Sequence, residues 1–248
     1  MQKFTDDSME IILRQMDLWY QSLPGSELLL AEREELDKIL PRYFGGHLLQ
    51  VGGSSETFIF EKSPIWHKIR YSPEYAPVFR GPSVQGKFHQ WPFLPESIDV
   101  ILLPHVLEFV PKPEQVLQQS QLSLTPDGHL IILGFNPCSL WGLMKCWGRR
   151  KTLPWRGRFN TLWRMRHSLA HQGFEVEEVR TLFFRPPLSS KRWLRRLLAL
   201  EVIGRLLWSN CGAVYLIVAK KRLVPLIPIK SSAYRKRHAF NSSFGRIR

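Results

Sequence analysis

LPESIDVILLPHVLEFVPKPEQVLQQSQLSLTPDGHLIILGFNP, residues 94–137, decides the fold. Its two apolar runs, IDVILL (98–103) and HLIILGF (129–135), are continuous rather than alternating. Strands covered on both faces of a parallel sheet read this way. Between them, PKPEQVLQQSQLSL (111–124) predicts a helix, with Pro113 near its first turn and Glu114 close to its positive end. TPDG (125–128) predicts a turn, because Pro fixes φ and Gly accepts a positive φ.

The same alternation extends outward, so the whole chain reads as α/β with a mostly parallel sheet. Upstream, residues 5–20 and 26–40 are expected to be helical, with Ser26 as N-cap of the second helix and Pro41 as its stop. HLLQV (47–51) is a short strand running straight into Gly52-Gly53, and WHKIRY (66–71) is a second strand before the turn-prone SPEYAP. Downstream, residues 158–173 predict a helix ending at Gly173, FEVEEVRTLFF (174–184) a half-buried strand, residues 191–208 a helix and AVYLIVA (213–219) a last strand. Beyond Leu223, Pro, Ser and basic residues replace periodicity, which predicts a flexible tail.

Composition is that of a globular chain, with 44% hydrophobic and 23% charged residues over 248 positions. No apolar run reaches the roughly 18–20 residues that span a bilayer. The N-terminus lacks the apolar core of a signal peptide. Cys138, Cys146 and Cys211 are widely spaced and odd in number, which fits a reducing cytoplasm and neither a disulfide framework nor a zinc site. Charge is uneven. Residues 1–137 hold 11 Lys+Arg against 17 Asp+Glu, a net −6, whereas residues 138–248 hold 24 against 4, a net +20. The second half is expected to face something anionic, namely nucleic acid, a membrane surface or an acidic substrate, or else to be a solvated basic face.

WPFLPESIDV (91–100), HVLEFV (105–110), PKPEQVL (111–117) and LTPDGHLII (124–132) fall in order, and together they resemble the type-11 class I methyltransferase domain. The wider chain, roughly residues 15–222, resembles a proteobacterial group of methyltransferase-like proteins. The resemblance implies a Rossmann-like fold with a seven-stranded, mostly parallel sheet, one antiparallel strand at its edge and helices on both faces. It implies S-adenosylmethionine as cofactor, an unspecified methyl acceptor, and a cofactor site beyond the strand C-termini where the strand order reverses. Domain boundaries are expected at 1–45 for N-terminal helices, 46–222 for the methyltransferase-like domain with a basic insertion at 138–210, and 223–248 for the tail.

Carried over by position, the cofactor-binding residues are Val51, Gly52, Gly53, Arg70, Tyr71, Lys87, Phe88, Pro104 and His105. The chain departs from the family's pattern at three of its acidic positions. Gln50 stands where the first strand ends in an acid. Arg70 stands where a carboxylate accepts the ribose hydroxyls, and Arg cannot accept. Lys87 replaces the acid that contacts adenine. Ser54 and Glu56 also stand where further glycines are expected, so a plain strand-to-helix turn explains Gly52-Gly53 equally well. Glu74 is the one acid nearby able to substitute, and Trp91 and Phe93 supply aromatic packing.

His105 lies where cofactor and acceptor meet in relatives. It reads equally as a pocket residue or base at neutral pH and as a structural loop histidine. Asn136-Pro137 reads as a turn. His167 and His171, at i and i+4, lack a third ligand, so no metal site is expected. Lys191, Arg192, Arg195 and Arg196 beside Trp193 and its leucines make a basic amphipathic helix that suits an anionic membrane or nucleic acid, or packs on the sheet. Trp141, Trp147, Trp155, Trp163, Trp193 and Trp208 are interleaved with arginines, a pattern suited to single-stranded nucleic acid or to a hydrophobic lid. Two functions follow: an S-adenosylmethionine-dependent methyltransferase, or a non-catalytic methyltransferase-like module that binds nucleic acid or an anionic membrane. A nicotinamide-dependent dehydrogenase is disfavoured, since GxGxxG is absent.

Overall fold

The computed structural model describes residues 6–53, 60–73, 81–146, 153–188, 196, 197, 201, 204, 206, 208 and 210–222. Helices α1 (Asp6–Gln21) and α2 (Gly25–Ile39) come first. They are followed by β1 (His47–Val51), β2 (His67–Ser72), β3 (Ser83–Gln85) and β4 (Ile98–Pro104). Then come α3 (Pro113–Ser123), β5 (Leu124–Phe135), α4 (Leu140–Cys146), α5 (Leu162–His171), β6 (Phe174–Leu182) and β7 (Val214–Lys221). The strands form one seven-stranded sheet in the order β3-β2-β1-β4-β5-β7-β6.

Strands β1 to β5 pair in parallel, whereas β7 runs antiparallel to both β5 and β6. The antiparallel strand therefore sits one place in from the edge, and β6, parallel to β5, forms the rim. The chain order reverses between β1 and β4, which makes the carboxyl ends of these two strands the place where an open α/β sheet binds ligands. The central strands are buried on both faces: β4 reads Ile98, Val100, Ile101, Leu102 and Leu103, and β5 reads Leu130 to Leu133. Asp99 anchors the opposite end. Its Oδ2 accepts from the backbone N–H of Gly46 at 2.8 Å and of His47 at 2.9 Å, which fixes where β1 starts against β4.

Several local expectations are corrected. Ser26 is not a cap, because α2 already begins at Gly25, and Pro24 at the cap position contributes no side-chain bond. The α-helix does end just before Pro41, at Ile39, and a 3₁₀ turn, Leu40–Arg42, follows it, as a proline in a first turn permits. The turn expected at 125–128 lies inside β5, and Asp127 (φ 65°) rather than Gly128 takes the left-handed conformation. Asp is among the residues that tolerate it. Strand β3 and helix α4 have no counterpart in the sequence reading. No helix among the described residues is long and apolar enough to cross a membrane.

Helix α2 lays Leu28, Glu32, Glu35, Leu36 and Ile39 towards the domain interior, the spacing of one helical face. Two of those five are carboxylates: Glu32 meets His105 just past β4, and Glu35 meets Arg180 of β6.

Candidate active site

At the switch point β1 ends and the chain enters Gly52 (φ 65°) and Gly53 (φ 81°), both left-handed. A Cβ on Gly52 would lie 2.8 Å from Val106 Cγ2, and one on Gly53 would lie 2.6 Å from Pro104 Cγ. Only glycine fits either place. The Gly52 N–H donates to Tyr71 O at 2.7 Å, which ties the turn to β2.

The residues standing in the family's acidic positions hold this turn. Gln50 is buried, and its Nε2 donates to Gly52 O at 2.9 Å. Arg70, opposite Gln50 in register, donates from Nη2 to Gly53 O at 3.3 Å. Carboxylates there would face the two carbonyls oxygen to oxygen, whereas an amide and a guanidinium are donors. Gln50 Oε1 is buried and has no hydrogen-bond partner among the described residues.

Tyr71 is buried beneath the turn, with its hydroxyl 2.7 Å from Lys87 O and 3.0 Å from Gln90 O. Burial pushes its pKa up to about 12. Phe88 packs beside Gly52, and Trp91 donates from Nε1 to Phe88 O at 2.9 Å. Tyr71, Trp91 and Phe93 form a ring cluster, with centroids 5.5 to 6.4 Å apart. Lys87 offers its carbonyl to this cluster, and the residue as a whole is exposed. Ser54, Glu56 and Glu74 lie outside the described residues.

The other half of the site is a buried ionic trio that the sequence reading found only in part. His105, just past β4, adopts φ 53°, rare for a residue with a side chain. Its Nε2 lies 2.7 Å from Glu32 Oε1 of α2, and both side chains are at most 2% exposed. Its Nδ1 stands 3.5 Å from Glu108 Oε1, a contact too long for a well-formed hydrogen bond and therefore electrostatic. That same Glu108 oxygen accepts from the Phe135 N–H at 2.7 Å. Burial alone would lower the imidazole pKa. The charge and hydrogen bond of Glu32, together with Glu108, outweigh it and raise the pKa to about 9. His105 is thus a protonated donor at neutral pH, which argues against its action as a base there.

Aromatic rings enclose the trio. Phe135 lies 4.1 Å from the imidazole, centroid to centroid, and Trp141 stacks beyond it at 6.0 Å. Trp19 of α1 meets both edge-on. Burial beside these carboxylates pushes the hydroxyls of Tyr20 and Tyr215 up as well. Sequence reasoning missed Glu32 and Glu108. The available signal was a carboxylate set within the apolar stripe Leu28–Leu36–Ile39.

One turn along α2, Glu35 Oε2 pairs with Arg180 of β6 at 3.0 Å and Oε1 with Lys38 at 2.6 Å. Although burial opposes it, these two cations hold the Glu35 carboxyl below its usual range. A cavity of about 470 Å³ opens here, between α2 and the end of β6. Asn136 turns the chain after β5: its Nδ2 donates to Asn210 O at 2.7 Å and Gly212 O at 3.0 Å, and its Oδ1 accepts from Cys138 N at 3.0 Å. His167 and His171 approach with Nε2 atoms 3.0 Å apart, and no cluster of three metal-ligating side chains exists among the described residues. Of the basic stretch around 191–196, only Arg196 is among the described residues, and Trp147 and Trp193 are not.

The family model described as "Methyltransferase domain" matches residues 67–132. Over 227 residues the chain is 32% identical to the uncharacterized protein YafS of Escherichia coli (strain K12), covering 89% of this chain and 88% of that protein. Among solved structures it resembles a Thermotoga maritima S-adenosylmethionine-dependent methyltransferase, possibly a histamine N-methyltransferase. The TM-score is 0.60 at 21% identity, covering 79% of this chain and 89% of that one. A methyltransferase from Archaeoglobus fulgidus matches with a TM-score of 0.59 at 16% identity, covering 82% and 98%. The family's cofactor is S-adenosylmethionine.

The turn fits one end of that cofactor. A buried carbonyl oxygen with no donor among the described residues, Gln50 Oε1, stands beside a glycine pair at the end of β1. Such an oxygen suits the ammonium group of the cofactor's amino-acid moiety.

Proposed function

We propose that this protein is an S-adenosylmethionine-dependent methyltransferase whose transfer site lies between the Gly52-Gly53 turn and His105. The observation that carries the reading is Gln50 Oε1, a buried acceptor at the switch point with no partner among the described residues. In this reading Val51, Gly52, Gly53 and Pro104 flank the amino-acid end of the cofactor, with Gln50 Oε1 accepting from its ammonium. Tyr71, Phe88 and the backbone of Lys87 lie along the adenosine end. Arg70 serves the site indirectly, by holding the Gly53 carbonyl. The ribose is then bound without the carboxylate that relatives use.

When bound, the cofactor supplies a methyl group on a sulfonium, which an acceptor takes in one displacement. The chain's own work is proximity, orientation and exclusion of water. Phe135, with Trp141 and Trp19 beyond it, packs on the His105 imidazole, and Glu32 and Glu108 face its two nitrogens. Three free, exposed cysteines support a cytoplasmic setting.

Titration calorimetry with S-adenosylmethionine and S-adenosylhomocysteine tests the reading. Both are expected to bind, and Gln50→Leu is expected to weaken them at least tenfold. Absence of heat at millimolar ligand, from a chain that melts cooperatively, would overturn it.

A further inference from the structure

We propose that the exposed face of α5 is a docking surface for single-stranded nucleic acid, with Trp163 as a stacking platform and Arg164 and Arg166 as phosphate contacts. The proposal is independent of the cofactor reading, since none of these residues belongs to the turn or the trio.

The sequence first sets the charge. From Gly128 to Phe174 the chain carries eight Lys and Arg residues and no Asp or Glu. Helix α5, LWRMRHSLAH, lies inside this stretch. It turns Met165 and Leu169 into the core, so its apolar face is already used for packing. Its opposite face presents Trp163, Arg164, Arg166, His167 and His171 to solvent.

Trp163 stands out there because its indole is 75% exposed and contributes little to the core. Its plane is nevertheless fixed. The ring lies within 3° of parallel to the imidazole of His167, with centroids 5.7 Å apart. His167 in turn meets His171 edge-on at 4.4 Å. A ring held in this way offers a ready plane at low entropic cost, and unpaired bases stack on such planes. Guanidiniums on either side supply the charge-assisted contacts that track a phosphate chain. The acids nearest along the chain or in space are few. Glu114 of α3 lines a shallow groove beside Arg164. Glu175, beyond the helix end, pairs with Arg222 at 3.4 Å.

A bilayer suits this face poorly. An interfacial helix inserts an apolar stripe. Here the exposed face has one large apolar ring, and the remaining rings are imidazoles. Double-stranded partners suit it poorly too, because their bases are already stacked on one another.

Fluorescence anisotropy of a labelled 12-nucleotide oligouridylate with the full chain, between 50 and 200 mM salt, tests the proposal. Binding is expected to weaken steeply with salt. Arg164→Gln/Arg166→Gln should lower the salt slope by about 1.4, from about 0.7 per lost phosphate contact. Trp163→Ala should weaken binding about tenfold and leave that slope unchanged. All these side chains are exposed, so the melting temperature should not move. The proposal fails if the wild type does not bind at 50 mM salt, or if these variants bind as wild type does. It also fails if the matching duplex binds as tightly, or if vesicles of phosphatidylglycerol bind more tightly and depend on Trp163. Calorimetry with S-adenosylhomocysteine on the same variants should be unchanged, which separates failure here from failure of the cofactor reading.

Discussion

His105 shows how far a single side chain is controlled by its surroundings. Burial would strip it of its proton, and Glu32 and Glu108 return that proton and raise the pKa to about 9 from an ordinary 6.5. Because the folded value lies above the unfolded one, the pairing stabilises the fold fully below pH 6.5 and is lost as the pH rises through 9. The gain is on the order of 3 kcal/mol. Urea unfolding at pH 6 and at pH 9.5 should show that loss in the wild type. Glu32→Gln removes the carboxylate while keeping the side chain's shape. It is expected to cost about 3–5 kcal/mol at pH 6, to flatten the dependence above pH 6.5, and to drop the imidazole pKa in an NMR titration. An unchanged imidazole titration in Glu32→Gln would show that the contact does not govern the proton.

Elements carry their own tests. Helix α5 begins at a Thr161 cap whose hydroxyl accepts from the Arg164 N–H at 3.2 Å. Thr161→Ala should lower stability by about 1 kcal/mol, read as a fall in the denaturant midpoint at constant slope. The elements also show which signals survive in a sequence. β4 and β5 were legible because both faces are buried and their apolar runs are unbroken. α2 was legible as a helix, although the roles of Glu32 and Glu35 were not, because an isolated chain gives no sign that a helix acid meets an imidazole 73 residues later. β3, only Ser83–Gln85 and mostly exposed, has no pattern to read. The Gly52-Gly53 turn was visible. The donors that hold its carbonyls looked instead like missing acids, since Gln50 and Arg70 explain themselves only once the turn's oxygens are seen pointing at them.

At the scale of the molecule, α1 and α2 are tied to the domain by buried charge as well as by apolar packing. Glu32 reaches the end of β4, Glu35 reaches β6, and Trp19 packs edge-on against both Phe135 and Trp141. A chain starting at Phe44 should therefore leave a cation, its remaining carboxylate and an aromatic surface uncovered. We expect it to lose cooperative thermal unfolding and to bind a hydrophobic dye. A sharp transition near that of the full chain would show the helices to be dispensable.

The bond between Glu35 and Arg180 spans 145 residues of chain. During synthesis α2 emerges before β6, the strand that carries Arg180, by roughly 7–30 s at ordinary rates of elongation. For that interval the α2 face that carries Glu35 has no strand β6 beside it, and the nascent chain leaves part of its apolar stripe unburied. The order in which the ribosome releases these elements thus leaves α1 and α2 in need of a chaperone until their partners arrive.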